Sequence, residues 1–200
     1  MLTGAVAAGW TTALDRAITI AAVSGRTPFF SALAVNFTAL GSAPVVTVAA
    51  LATAAYAVAA GKPRLVMVVA WTPLVFLTNQ LLKLLVHHPR PTAAMIALPP
   101  TYSFPSGHAA AASALFLTLA FMATAVERRA GPRRLLIGMG LVLSLLVAWS
   151  RVYLGVHYFS DVCGGLLLGT AGALIASRMI ARQPAETRRE TAPRMLRERS

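Results

Sequence analysis

Two hundred residues is the length of one ordinary domain, yet 57% of them are apolar, only 12% are charged and the mean hydropathy is +0.68. A soluble domain of that size cannot hide so much apolar surface, so the composition points to an integral membrane protein. It also argues against reading the net charge of +12 as nucleic-acid binding, because the charges sit between and after apolar runs. Cys163 is the single cysteine, so no internal disulfide and no zinc or iron–sulfur spacing can be built.

Met1 to Val23 is long enough to insert but is interrupted by Asp15 and Arg16, and no basic leader precedes it, so it does not read as a cleavable signal. Gly25, Arg26, Thr27 and Pro28 form a break, and Pro28 to Leu40 reads as a second, shorter helix before Gly41, Ser42 and Pro44. Two amphipathic helices in the membrane interface are expected here, with a sixth span as the alternative. Five later stretches meet the length of roughly 20 apolar residues, within a range of about 17 to 25, that a crossing needs, so five transmembrane helices are expected. They are 43–61, 64–86, 106–127, 135–150 with its flanks, and 159–180. None alternates with a period of two, so the expected fold class is an all-α membrane bundle and not a barrel. Residues 1–182 then form one membrane-embedded domain, and the charged tail 183–200, poor in apolar residues, is expected to be disordered.

Basic residues gather at alternate ends of these stretches. Lys62 and Arg64 precede the second, Arg128, Arg129, Arg133 and Arg134 join the third and fourth, and Arg178 and Arg182 close the fifth. With the tail's Arg188, Arg189, Arg194, Arg197 and Arg199, one side holds 13 of the 18 Lys and Arg. That side is assigned to the cytoplasm, which leaves 84–105 and 151–158 outside.

Charges at the ends of membrane helices are costly and mark function by default. Lys83, Arg90, Arg151 and Asp161 all fall on the outer side, and so do all four histidines, His87, His88, His108 and His157. Lys83 and Arg90 stand where the second span leaves the membrane, and Pro89 and Pro91 favour an extended exit that turns Arg90 back over the helix end. Alone, such a pair would suit snorkelling cations that anchor a helix. Pro105-Ser106-Gly107-His108 opens the third span, where unpaired N–H groups at a helix start attract an oxyanion and Gly107 permits close approach. If the fifth helix begins near His157, Asp161 shares its face and can fix the tautomer of the ring; the bland alternative is a helix-capping acid. Together these residues suit a phosphate clamp with one histidine as nucleophile and the other as general acid. No metal and no cofactor is called for, and a four-histidine zinc site is disfavoured because the neighbouring Lys and Arg repel a cation.

The three segments match the signature Lys-x6-Arg-Pro, Pro-Ser-Gly-His, Ser-Arg-x5-His-x3-Asp at Lys83 to Pro91, Pro105 to His108 and Ser150 to Asp161, with every fixed position and internal spacing intact. In this the chain resembles the type 2 phosphatidic acid phosphatase family, which shares its core with acid phosphatases and vanadium haloperoxidases. The resemblance spans about residues 37–180 and includes the Asn36 to Ser42 stretch; the N-terminus departs from the family's full first span. It implies that Lys83, Arg90 and Arg151 bind phosphate with Ser106 and Gly107. It further implies that His157 forms a phosphohistidine, that Asp161 orients it, and that His108 protonates the leaving group and then activates water.

The expected activity is removal of a terminal phosphate from a lipid mono- or diphosphate at the extracytoplasmic leaflet. The first choice of substrate type is undecaprenyl diphosphate, followed by phosphatidic acid or phosphatidylglycerol phosphate. Phosphotransfer to a lipid or sugar hydroxyl uses the same site, and a non-catalytic lipid-phosphate binding or transport protein is the alternative outside enzymes. A haloperoxidase would have to retain vanadate and is less favoured. The charge distribution makes one topological prediction. In a Cys163→Ala background, a cysteine in place of Thr92 should react with an impermeant thiol reagent in intact cells, and one in place of Gly131 should not; the reverse labelling would move the site to the cytoplasmic face.

Overall fold

A computed structural model describes residues 1–61, 66–126 and 129–181, and among these the regular structure is all helical. The helices are α1 (Leu2–Ala7), α2 (Thr12–Ser24), α3 (Pro28–Leu40), α4 (Ala43–Ala59), α5 (Val66–Val86), α6 (Gly107–Val126), α7 (Ala130–Tyr153) and α8 (Phe159–Ala181). Lys62, Arg64, Arg128, Arg182 and the tail 183–200 lie outside the described residues.

Among the described residues, Gly107–Thr124, Ala130–Tyr153 and Phe159–Arg178 are each long and apolar enough to cross a membrane. A fourth span results if α3 and α4, bent by 45° at their junction, are counted together. The five-span expectation is therefore not reached. α4 has 17 residues and meets the length only with α3, and the 21-residue α5 is not among the three because only its part Thr72–Val86 counts among the fully described residues. The protein is a multi-pass membrane protein, with three to four clear spans among the described residues.

The N-terminal helices form where the local sequence predicts. Gly9 at φ 74° separates α1 from α2, and Pro28 occupies the first turn of α3 while the hydroxyl of Thr27 accepts the Phe30 N–H at 3.3 Å. Their placement differs from helices that present a polar face to the interface. Asp15, which interrupts the apolar run, is only 2% exposed, and its carboxylate accepts the Ser160 N–H at 2.8 Å and the Ser160 hydroxyl at 2.7 Å. A residue 145 positions away thus satisfies a first-turn donor of α8 that has no intrahelical partner. Arg26 ties the other end of α2, donating from Nε to the Tyr153 carbonyl at 3.1 Å and from Nη2 to the Ala93 carbonyl at 2.9 Å.

α6 is the central element, packed most extensively against α8 and then α7. It is apolar all round, as a helix enclosed by others must be. Ala109, Ala110, Ala112 and Ser113 present small side chains that are fully or almost fully buried. Small residues let helix backbones approach where lipid offers no hydrophobic drive for association. The facing glycines complete the fit, since a Cβ at Gly140 would stand 2.9 Å from the Phe116 carbonyl and one at Gly169 would run into Ala110 O and Ser113 Oγ. Gly169→Ala should therefore lower stability by about 1–3 kcal/mol through overpacking. Gly138→Ala, where a Cβ meets nothing within 4 Å, should not. Thermal unfolding of the two variants in detergent checks this, and an unchanged midpoint for Gly169→Ala would refute the close α6–α8 contact.

Candidate active site

The helix ends of α5, α6, α7 and α8 meet around one carboxylate. At the end of α5, Lys83 is 6% exposed and donates from Nζ to the carbonyls of Tyr102 at 2.6 Å and Ser103 at 3.2 Å. One turn earlier on the same face, Asn79 is also buried and donates from Nδ2 to the Pro105 carbonyl at 3.3 Å. A polar side chain four positions before Lys83, on the same helix face, is the signal by which the sequence marks it.

His87 takes a left-handed backbone, φ 52°, which ends the helix and lets the two proline-flanked residues that follow run back over it. Arg90 does turn inward as the prolines suggest. Its Nε donates to the Thr101 carbonyl at 2.8 Å, and its Nη1 donates to the Val156 carbonyl at 3.0 Å and lies 3.4 Å from His157 Nε2. His87 itself stays exposed with its ring edge-on to Tyr102 at 4.4 Å, outside the polar cluster. Among the described residues no three His, Cys, Asp or Glu side chains converge as a metal-holding group.

α6 begins at Gly107, and its first ladder bond runs from the Ala110 N–H to the Ser106 carbonyl at 3.0 Å. The N–H groups of Gly107, His108 and Ala109 stand ahead of that ladder at the positive end of the helix dipole. The Ser106 N–H differs from expectation because it is already committed to the Asp161 carbonyl at 2.9 Å, a bond that stitches the start of α6 to the first turn of α8. The Ser106 hydroxyl is buried and has no hydrogen-bond partner. His108 lies in the first turn of α6, held against the α3–α4 break, where a Cβ on Gly41 would approach the His108 carbonyl to 2.8 Å.

Arg151, at the end of α7, is 4% exposed and donates from Nη1 to the Thr38 hydroxyl at 2.6 Å, while its buried Nε has no partner. Thr38 was not legible as a site residue, because only the tertiary fold brings α3 to the end of α7. His157 sits in the turn before α8, which starts at Phe159 and not at the histidine. Its Nδ1 is nonetheless 3.5 Å from Asp161 Oδ2, so the turn supplies the proximity that one continuous helix was expected to provide.

The tautomer of His157 follows from the donors around it. The Ser103 hydroxyl donates its one proton to Asp161 Oδ2, and so at 3.2 Å it can only accept from His157 Nδ1. Nδ1 therefore carries the ring proton, and Nε2 faces Arg90 with its lone pair. Burial lowers the His157 pKa to about 4; Asp161 pulls it upward and Arg151 and Arg90 push it down, so the ring is neutral near neutral pH. Asp161 is 0% exposed and accepts the Tyr158 N–H at 2.8 Å, the reach-back of a first-turn acid in a capping box. One carboxylate thus both reaches back to the start of α8 and faces the His157 ring.

Beside this cluster opens a cleft of about 720 Å³, whose lining includes Lys83, Arg90 and His88 together with Leu84, Leu98 and Tyr102. It is a place where a charged group and an apolar chain can be accommodated together.

The model of the PAP2 superfamily matches residues 64–185, which contains all of these segments except Thr38 and the α3–α4 break. Phosphatidylglycerophosphatase B of Bacillus subtilis is 35% identical over 94 residues, 46% of either chain. Undecaprenyl-diphosphatase of Sulfolobus acidocaldarius is 39% identical over 80 residues, 40% of this chain and 34% of that one. Decaprenylphosphoryl-5-phosphoribose phosphatase of Mycobacterium tuberculosis is 38% identical over 113 residues, 54% of this chain and 57% of that one. The matches thus span little more than half, or less, of these relatives' lengths. The crystal structure of a transmembrane PAP2 type phosphatidylglycerolphosphate phosphatase from Bacillus subtilis superposes with a TM-score of 0.80 at 25% identity, covering 92% of both chains. With the family's sequence pattern running from α5 to the end of α8 and this fold shared across nearly the whole chain, the protein belongs to the PAP2 superfamily.

Proposed function

We propose that this protein is a membrane lipid phosphatase that hydrolyses a terminal phosphate of a lipid mono- or diphosphate through a phosphohistidine on His157. The observation that carries the reading is the neutral, Nδ1-protonated His157 whose Nε2 lone pair faces Arg90 at 3.4 Å. A phosphate set against Nε2 would be met by Arg90, Lys83 and Arg151 and by the Ser106 and Gly107 start of α6. The Arg151 Nε and Ser106 Oγ that lack partners are donors such a group would use.

In the first step Nε2 forms a bond to phosphorus as the bond from phosphorus to the lipid oxygen breaks, and His108 gives that oxygen a proton. In the second step His108 takes a proton from water, whose oxygen displaces phosphate from Nε2. Asp161 balances the positive charge that the His157 ring carries between the two steps. A non-catalytic binder would have no use for a neutral, oriented imidazole.

The names of the relatives favour polyprenyl diphosphate, polyprenyl phosphate-sugar or phosphatidylglycerol phosphate substrates, and undecaprenyl diphosphate remains the first choice. The cleft, lined by both cationic and apolar side chains, suits this class of amphiphile. The proposed topology has five crossings, with α5 adding one, since its 21 residues extend about 30 Å. The site then faces outward and the tail 183–200 lies in the cytoplasm, because the basic residues fall on that side.

His157→Ala should abolish phosphate release from these lipids while vanadate still binds, and His108→Ala should slow it by about 10²- to 10⁴-fold. Wild-type rates in the His157 variant at equal protein level would overturn the nucleophile. Phosphate release should also persist in excess EDTA, because the side chains and backbone donors neutralise the phosphate. Inhibition by chelator that zinc or magnesium reverses would require a metal mechanism instead.

A further inference from the structure

The two oxygens of Asp161 are addressed separately. Oδ2 accepts from Tyr158 N–H and Ser103 Oγ and faces His157 Nδ1. Oδ1 accepts from Nδ1 of His88 at 2.9 Å, a closer approach than the 3.5 Å between Asp161 and His157. His88 stands at a position the Lys-x6-Arg-Pro pattern leaves open, and the steps above give it no task.

Its placement is nonetheless fixed at both ends. The His88 carbonyl accepts the Ser103 N–H at 2.8 Å, and its ring lies against Tyr158 with centroids 5.1 Å apart. The side chain is 14% exposed and lines the cleft with Lys83 and Arg90. A carboxylate oxygen only accepts, so Nδ1 of His88 carries the proton of this bond. The left-handed His87 is what turns the chain so that the second histidine of the pair points inward.

We propose that His88 is a positioning residue: by donating to Oδ1 it holds the Asp161 carboxylate in one rotation, with Oδ2 directed at Ser103 and His157. The terminal torsion of an aspartate is broad and roughly two-fold, so donors on a single oxygen leave it free to swing. A donor on each oxygen removes that freedom before the His157 ring becomes charged, and a pre-set group stabilises the charge without reorganising. This inference rests on His157 as the nucleophile.

The test compares His88→Ala, His88→Asn and His88→Gln in the full-length protein, with a short-chain phosphatidic acid as substrate. Asparagine puts an amide N–H near the place of Nδ1, whereas glutamine puts it near that of Nε2. His88→Ala and His88→Gln should lose about 10- to 100-fold in kcat, the usual worth of a hydrogen bond to a charged group. Their KM should stay within about twofold, because the phosphate clamp is intact. His88→Asn should recover most of the rate, and vanadate binding should be unchanged in all three. Wild-type kcat in His88→Ala, or equal rates in the asparagine and glutamine variants, would overturn the proposal. If the alanine variant fails to fold, the asparagine–glutamine pair decides alone. His157→Ala is run beside them: turnover there overturns the nucleophile reading itself, while a dead His157→Ala with a fully active His88→Gln overturns only the role of His88.

Discussion

A carboxylate with no exposure to solvent has to be surrounded by donors, and in this protein that requirement organises one end of the bundle. Asp161 collects His88 from the end of α5, Ser103 from the segment before α6, and the Tyr158 N–H and His157 from the turn before α8. Leaving such a group unpaired costs several kcal/mol, so each segment that supplies a donor is constrained by the same atom pair. The Asp161 carbonyl adds the Ser106 N–H, so the start of α6 is bound to the residue whose carboxylate faces His157.

That arrangement needs helices close enough for their ends to touch. Alanines and glycines along α6 and α8 bring the two backbones together, and the site residues at their ends inherit the spacing. Gly155 shows the same constraint in the turn. It has φ 69°, and a Cβ there would stand 2.6 Å from Nη2 of Arg26, so the chain reverses only without a side chain. α2 then holds this turn from both sides, through Asp15 on Ser160 and Arg26 on Tyr153 and Ala93. The N-terminal region is thereby part of the frame around the site.

Much of this was legible in the residues. The break at Gly25 to Pro28, the helix from Pro28 to Leu40 and the inward turn of Arg90 follow from local backbone chemistry, which proline and glycine impose over a few positions. The cluster of Lys83, Arg90, His108, Arg151, His157 and Asp161 was legible because charge at a membrane helix end is expensive and few such residues occur. Less visible were Asn79, Thr38 and Ser103, since single uncharged polar residues are common in membrane helices and loops and carry no spacing. The free Ser106 N–H was expected from helix capping alone, and a carbonyl from another helix occupies it.

By itself the sequence determined that the chain enters a membrane as helices, where those helices break, and that its chemistry-bearing residues gather on one side. These are consequences of local hydropathy, backbone freedom and the cost of charge, all of which act within one segment. Tertiary structure alone decided which oxygen of Asp161 each donor meets, the tautomer of His157 and the use of Asp15. Apart from the local approach of Tyr158 and His157 to Asp161, these depend on contacts between residues dozens to more than a hundred positions apart, which no spacing along the chain sets and only the packing of α2, α5, α6 and α8 against one another brings about.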